Sequence, residues 1–169
     1  MKEKGFTLVE ILVYVAILGV VVASFVSFSI SISSSRGKVY VQQEVQANAR
    51  VALNLITQKI LSSNGINFGS SVFDSDPGIL SLSMVDGSKN PIIISLTADD
   101  GQLQIQEGIG TALPITSDEV RVTNLVFTNL TSTSDKANIK IELTVEYLAT
   151  ENVAYEYKYS LETAVSLRQ

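Results

Sequence analysis

Between Ile11 and Ser35 no side chain is charged, and the first half of that stretch, Ile11 to Ala23, is almost wholly apolar. Counted from Phe6 to Phe28, the segment has roughly the 20 residues that a helix rising about 1.5 Å per residue needs to cross about 30 Å of hydrocarbon. It predicts one membrane helix with a softer, serine-rich end. Lys2 and Lys4 precede the run, which places the N-terminus in the cytoplasm and everything after Ser35 outside, in a single pass. Arg36 and Lys38 weaken that asymmetry without reversing it. A secretory signal peptide also begins basic and then turns apolar, but it ends in small residues at a cleavage site. Ala23-Ser24-Phe25 offers such a site only poorly. The signal also contains Glu10, flanked by Val9 and Ile11, and a carboxylate at that depth costs a few kcal/mol on insertion. Glu10 therefore asks either for a position at headgroup level or for a function.

Composition removes several functions. The chain has no cysteine, histidine or tryptophan, so it lacks thiol nucleophiles, disulfides, imidazole bases and Cys/His zinc sites. Residues 1–63 carry six Lys/Arg against three Glu, and residues 64–169 carry six Lys/Arg against fourteen Asp/Glu. An acidic C-terminal part repels a phosphate backbone, so no nucleic acid is expected as its partner.

Lys4-Gly5-Phe6-Thr7-Leu8-Val9-Glu10, followed at once by an apolar helix, resembles the class III signal of type IV pilins and pseudopilins. The resemblance implies cleavage by a prepilin peptidase between Gly5 and Phe6, loss of the leader 1–5, and N-methylation of Phe6. Gly5 permits close backbone approach to a protease, and the lysines hold the leader in the cytoplasm. It also implies that Glu10 of one subunit neutralises the Phe6 amine of a neighbour as subunits stack into a filament. Removing one side of a buried charge pair typically costs about 3–5 kcal/mol, so Glu10 is an assembly residue, not a catalytic one.

Beyond the membrane segment, Val45, Ala49, Ala52, Leu53, Ile56 and Ile60 recur at spacings of three and four. They predict one apolar helical stripe. Asn64 and Gly65 supply the stop, through the left-handed conformation both tolerate. A helix from Phe6 to Ser62 would extend about 85 Å. Ser29, Ser31, Ser33, Ser34, Ser35 and Gly37 argue for bending or partial melting in its middle, or equally for a solvated linker. Many major pilins carry a proline in this region, whereas none occurs here before Pro77.

After Gly65 the period becomes two. Leu80, Leu82 and Met84 alternate with serines; Ile92 to Thr97 is a short apolar run; Leu103 and Ile105 alternate with glutamines. Val120 to Leu130 follows, then Ile139, Ile141, Leu143, Val145 and Tyr147 oppose Lys140, Glu142, Thr144 and Glu146. A last strand sets Tyr155, Tyr157, Tyr159, Leu161, Val165 and Leu167 against Glu156, Lys158, Glu162 and Ser166, and pairs with its predecessor across Ala149 to Asn152. The expected fold class is α+β, a long N-terminal helix packed on an antiparallel, strand-rich head, with one sheet or two left open. The expected organisation is a leader at 1–5, a transmembrane or filament-core helix at 6–28, its amphipathic continuation at 29–64 and a head at 65–169.

Within the head, the tyrosines at 155, 157 and 159 suggest either an aromatic platform or an ordinary sheet face. Asp74-Ser75-Asp76-Pro77-Gly78 and Asp99-Asp100-Gly101 place carboxylates beside glycines, but the later ligands of a calcium loop are missing and turns need the same residues. Glu142 and Glu146 share a strand face without implying a pocket. No catalytic residue, metal site or cofactor is expected. The outline of the whole chain resembles the minor subunits that include type II secretion pseudopilin J and the W-type minor pilins. That implies a non-enzymatic subunit near the tip of a type IV pilus or type II secretion-like pseudopilus. Its partners would be the peptidase, other pilin or pseudopilin subunits, the inner-membrane assembly platform and membrane lipid. It would reside in the cytoplasmic membrane and then in a periplasmic or cell-surface filament. The competing reading is a single-pass anchored adhesin or sensor that never enters a filament.

Overall fold

The computed structural model describes residues 5–131, 137–148 and 156–167. One α-helix, α1, runs Leu8–Ser62. The chain divides into two compact units between Tyr40 and Val41. In the first unit every described residue from Gly5 to Arg36 is exposed, because a helix that is apolar all round has no face to turn inward within its own chain.

The serines of α1 allow bending or partial melting as readily as a solvated linker; the structure keeps Ser29 to Gly37 helical throughout, so the segment does not melt. The serine hydroxyls find their partners within the helix itself. Ser29 Oγ donates to the Phe25 carbonyl at 3.0 Å and Ser35 Oγ to the Ser31 carbonyl at 2.9 Å, so each side-chain donor is satisfied by the turn before it.

In the second unit α1 buries Val41, Val45, Ala49, Ala52, Ile56 and Ile60. Their spacings of three and four place all six on one stripe. Leu53, expected there, is half-buried against the same core. The helix ends at Ser62 as expected, but not through a left-handed cap, because neither Asn64 nor Gly65 has a positive φ. Ser63 closes the last turn, its N–H and hydroxyl both donating to the Ile60 carbonyl. Asn64 N–H then donates to the Ser83 carbonyl at 2.8 Å, drawing the chain straight into a sheet.

Two antiparallel sheets complete the unit, which decides the count the sequence left open. The first is a five-stranded meander in chain order: β1 (Gly65–Ile66), β2 (Leu80–Ser83), β3 (Ile92–Leu96), β4 (Leu103–Glu107) and β5 (Leu113–Pro114). The second has three strands, β6 (Val120–Asn129), β7 (Asn138–Tyr147) and β8 (Lys158–Ser166). Strands β2, β3, β4, β6, β7 and β8 fall where the two-residue period put them. The two-residue strands β1 and β5 are too short to show a period. The loop Ala149 to Asn152 and Tyr155 lie outside the described residues.

Both sheets and the α1 stripe share one core, in which Ile56, Leu80, Ile94, Phe127, Ile141 and Leu143 are almost wholly buried. β6 changes its inward face partway along. A bulge between Val122 and Asn124 shifts the register, so Val120 and Val122 point inward before it and Leu125 and Phe127 after it.

Candidate functional site

The N-terminal segment is built around Thr7. Its hydroxyl accepts the Glu10 N–H at 3.2 Å and its carbonyl accepts the Ile11 N–H at 3.2 Å. Thr7 is therefore the N-cap of α1, and Thr7-Leu8-Val9-Glu10 has the spacing of a capping box. The sequence reading passed over this role, although a threonine three residues before a glutamate at the head of an apolar run is its usual signature.

Gly5 and Phe6 precede the cap in non-helical chain. A side chain at Gly5 would meet nothing within 4 Å, and Phe6 is 74% exposed. The Gly5–Phe6 bond is thus an accessible, non-helical peptide directly before a helix. Glu10 sits in the first turn and is exposed, and among the described residues no cation pairs with it. A carboxylate near a helix N-terminus interacts favourably with the helix dipole. Its charge is still unmatched within the described chain.

The helix that carries this segment is long and apolar enough to cross a membrane. Residues 1–26 match the family model of the prokaryotic N-terminal methylation motif. No curated protein and no solved structure matches the chain. The motif, together with the apolar helix and the strand-rich unit behind it, supports a type IV pilin-like protein, a pilin or pseudopilin-like precursor. Such a signal implies processing by a peptidase and assembly with other pilin subunits, fits membrane anchoring, and points to a structural family that is usually non-enzymatic.

The other candidates from the sequence have structural employment. Asp76 Oδ1 accepts the Leu125 N–H at 3.0 Å, Gly78 N–H donates to the Leu125 carbonyl at 2.7 Å, and Asp74 N–H donates to the Phe127 carbonyl at 2.9 Å. The segment Asp74 to Gly78 therefore clips onto the outer edge of β6. Gly78 is required there, because a Cβ would lie 3.0 Å from the Phe127 ring and 3.1 Å from the Leu125 carbonyl. Gly101, at φ 64, adds its carbonyl to the same edge, accepting the Val122 N–H at 2.9 Å. Among the described residues no group of three or more carboxylates could hold a metal ion.

Tyr157 and Tyr159 are half-buried against the core, and the Tyr157 hydroxyl accepts from Gln46 Nε2 at 3.0 Å. They form a sheet face, not a platform. Glu142 and Glu146 belong to different ion pairs: Lys140 bridges Glu142 and Glu162, while Glu146 holds Arg121 at 2.5 Å and Lys158 at 2.7 Å. Burial pushes the Glu146 carboxyl up, but hydrogen bonds from Lys158 and Arg121 outweigh it and hold the group below the usual carboxylate range. A shallow cleft beside this triad is lined by Arg121, Glu146, Tyr157 and Lys158. With Glu156 also in its lining, two cations face two carboxylates there.

One polar cluster escaped the sequence reading. Asn48 on α1 donates to Glu44 Oε1 at 2.8 Å and accepts the Ser117 N–H at 2.9 Å, while Ser117 Oγ donates to the same carboxylate at 3.1 Å. It fastens the helix to the segment entering β6. Residues 69 apart in sequence give no local signal of such a contact.

Proposed function

We propose that the chain is a minor pilin or pseudopilin, cleaved between Gly5 and Phe6, N-methylated at Phe6, and assembled through α1 into a type IV pilus or type II secretion-like pseudopilus, near its tip. The observation that carries this reading is the site itself, an accessible Gly5–Phe6 bond followed by a Glu10 that no cation pairs with among the described residues, in the first turn of a helix that is almost wholly apolar from Ile11 to Ala23. Cleavage would create a cationic amine at Phe6 beside the positive end of the helix dipole. In apolar surroundings that charge needs an anion, and Glu10 of an adjacent subunit supplies it. The Thr7 cap lies downstream of the cut and survives it, so the mature helix keeps its start.

In this reading residues 1–5 are the leader, 6–28 the membrane and filament-core helix, 29–64 its continuation and 65–169 the head. The chain waits in the cytoplasmic membrane with its N-terminus inside and its head outside, and its partners are the prepilin peptidase, other pilin or pseudopilin subunits, the assembly platform and lipid. The tip position draws on the outline shared with minor subunits.

The test is the intact mass of the chain extracted from membranes after expression with a prepilin peptidase, with fragmentation to place any modification. A product that begins at Phe6 and carries one methyl group is expected. Retention of Met1 to Gly5, or cleavage beyond Ala23, would return the protein to an anchored or secreted binding domain.

A further inference from the structure

The two outer edges of the three-stranded sheet are treated differently. The edge of β6 is closed by the chain itself, through Asp74, Asp76, Gly78 and Gly101. The edge of β8 is open among the described residues. Tyr147 N–H donates to the Tyr157 carbonyl and Leu167 N–H to the Ala137 carbonyl, and the register between them is unbroken from Glu146↔Lys158 to Asn138↔Ser166. In an antiparallel ladder such bonded pairs alternate, so the odd-numbered residues of β8 bond to β7. Lys158, Ser160, Glu162, Ala164 and Ser166 then turn their backbone N–H and C=O groups outward, and among the described residues no backbone group pairs with them. The strand has nine residues and no proline, bulge or inward charge; of the features that usually guard an edge it has only the outer-face charges of Lys158 and Glu162.

Two further observations concern what is missing at that edge. On the core-facing side Tyr159 and Leu161 are only half-buried, although their β7 neighbours Val145 and Leu143 are buried. On the outer face Glu142 and Glu162 stand directly opposite each other and share one cation, Lys140. Like charges opposed across a ladder are unfavourable. A strand laid beside β8 with a lysine or arginine opposite Glu162 would supply the second cation and cover Tyr159 and Leu161.

From this we infer that the open edge of β8 takes up an extended segment of a different subunit of the assembly, adding a fourth strand with a basic side chain opposite Glu162. A second copy fits poorly, since the antiparallel self-pairing that uses all of β8 is centred on Glu162 and sets that carboxylate against its own copy. The inference rests on the reading of the chain as a filament subunit.

Hydrogen exchange on the full chain tests it, first in detergent micelles and then in filaments sheared from cells that produce it. The outward amides of Ser160, Glu162 and Ala164 should exchange about tenfold or more slowly in filaments than in micelles, while the inward amides of Tyr159, Leu161 and Thr163 are slow in both. Equal outward exchange in both states overturns the added strand and leaves filament membership standing; a chain that stays in the membrane and never enters filaments overturns the filament reading itself.

Ala164→Pro removes an outward N–H without deleting a β7–β8 bond. It should keep inward protection and enter filaments about tenfold less than Ala164→Ser, and equal entry overturns the inference. If the proline variant loses inward protection, Glu162→Lys decides, with an expected fall in entry of about fivefold and overturning if entry is unchanged. The chain contains no cysteine, and self-pairing centred on Glu162 sets residue 160 opposite residue 164 of the other copy, so a chain carrying both Ser160→Cys and Ala164→Cys reports on self-pairing, and disulfide-linked dimers of that variant in filaments would overturn the assignment to a different subunit.

Discussion

The two parts of α1 use the same apolar residues in opposite ways. Before Tyr40, Ile17, Leu18 and Val20 are 57%, 63% and 68% exposed, whereas after Val41 Ile56 and Ile60 are fully buried. The first part is apolar on every side over Ile11 to Ala23, and no described residue covers it; the second carries one stripe, and two sheets of the same chain close over that stripe. The comparison teaches that the first part is incomplete as an isolated chain and the second is not. In the proposed function lipid or neighbouring helices would complete the one; tertiary packing completes the other.

The largest effect that would break this comparison is at Glu10. Glu10→Ala should lower entry into filaments about a hundredfold or more, as expected for stranding one partner of a buried ion pair, with the melting of the second unit unchanged; quantifying the chain in sheared filaments by immunoblot checks it. Normal entry would remove the assembly role from Glu10. Next in size is a paired substitution along the helix. Ile56→Ala should cost the head about 2–5 kcal/mol in denaturant unfolding because it opens a cavity in a closed core, whereas Ile17→Ala should leave the unfolding midpoint in micelles where it was. A comparable loss at both positions would mean that the first part also packs within its own chain.

A smaller change sharpens the comparison by testing how the striped part is held. Asn48→Ala should cost about 1–2 kcal/mol, because it leaves the Ser117 N–H and the Glu44 carboxylate short of partners. Calorimetry of that variant beside Asn54→Ala, on the exposed side of the same helix, separates a lost contact from a change in helix propensity. The smallest effect lies in pH. A hydrogen bond from Lys59 holds the Glu107 carboxyl below its usual value near 4.5, and Glu146 is held low by Lys158 and Arg121 against its burial. The unfolded chain binds these protons more readily, so the stability they contribute is present above about pH 4.5 and is lost as pH falls through the lower folded values. A titration of the melting midpoint from pH 7 to 3 should show that decline in the wild type and a weaker one in Glu146→Gln.

Much of the architecture was legible because it is encoded locally. The stripe Val45 to Ile60 and the alternation Ile139 to Tyr147 each repeat with the period of their element and carry their own signal. The site was legible for a similar reason, since Gly5, Phe6 and Glu10 lie within one short motif. Thr7 was readable in principle from its spacing to Glu10. The manner of the helix stop was misread because Asn64 and Gly65 favour a left-handed cap in isolation, whereas here the next residues are claimed by pairing with Ser83 and Leu82. Of the two readings the serines allowed, partial melting is not what the structure shows: the hydroxyls of Ser29 and Ser35 bond to carbonyls of the preceding turn and the backbone stays helical.

By itself the sequence determined the apolar N-terminal helix, its processing motif, the α+β class and the place of each long strand, because each depends on residues close together in the chain. The tertiary structure decided the rest: two sheets instead of one, the change of face in β6 at its bulge, the clip of Asp74 to Gly78 over one sheet edge, and the open edge of β8. These depend on which distant backbone groups find partners, and hydrogen bonds between residues such as Asp76 and Leu125, 49 apart, leave no period in the sequence. A bulge moves a whole strand's faces by a single residue, and only the partner strand specifies where it falls.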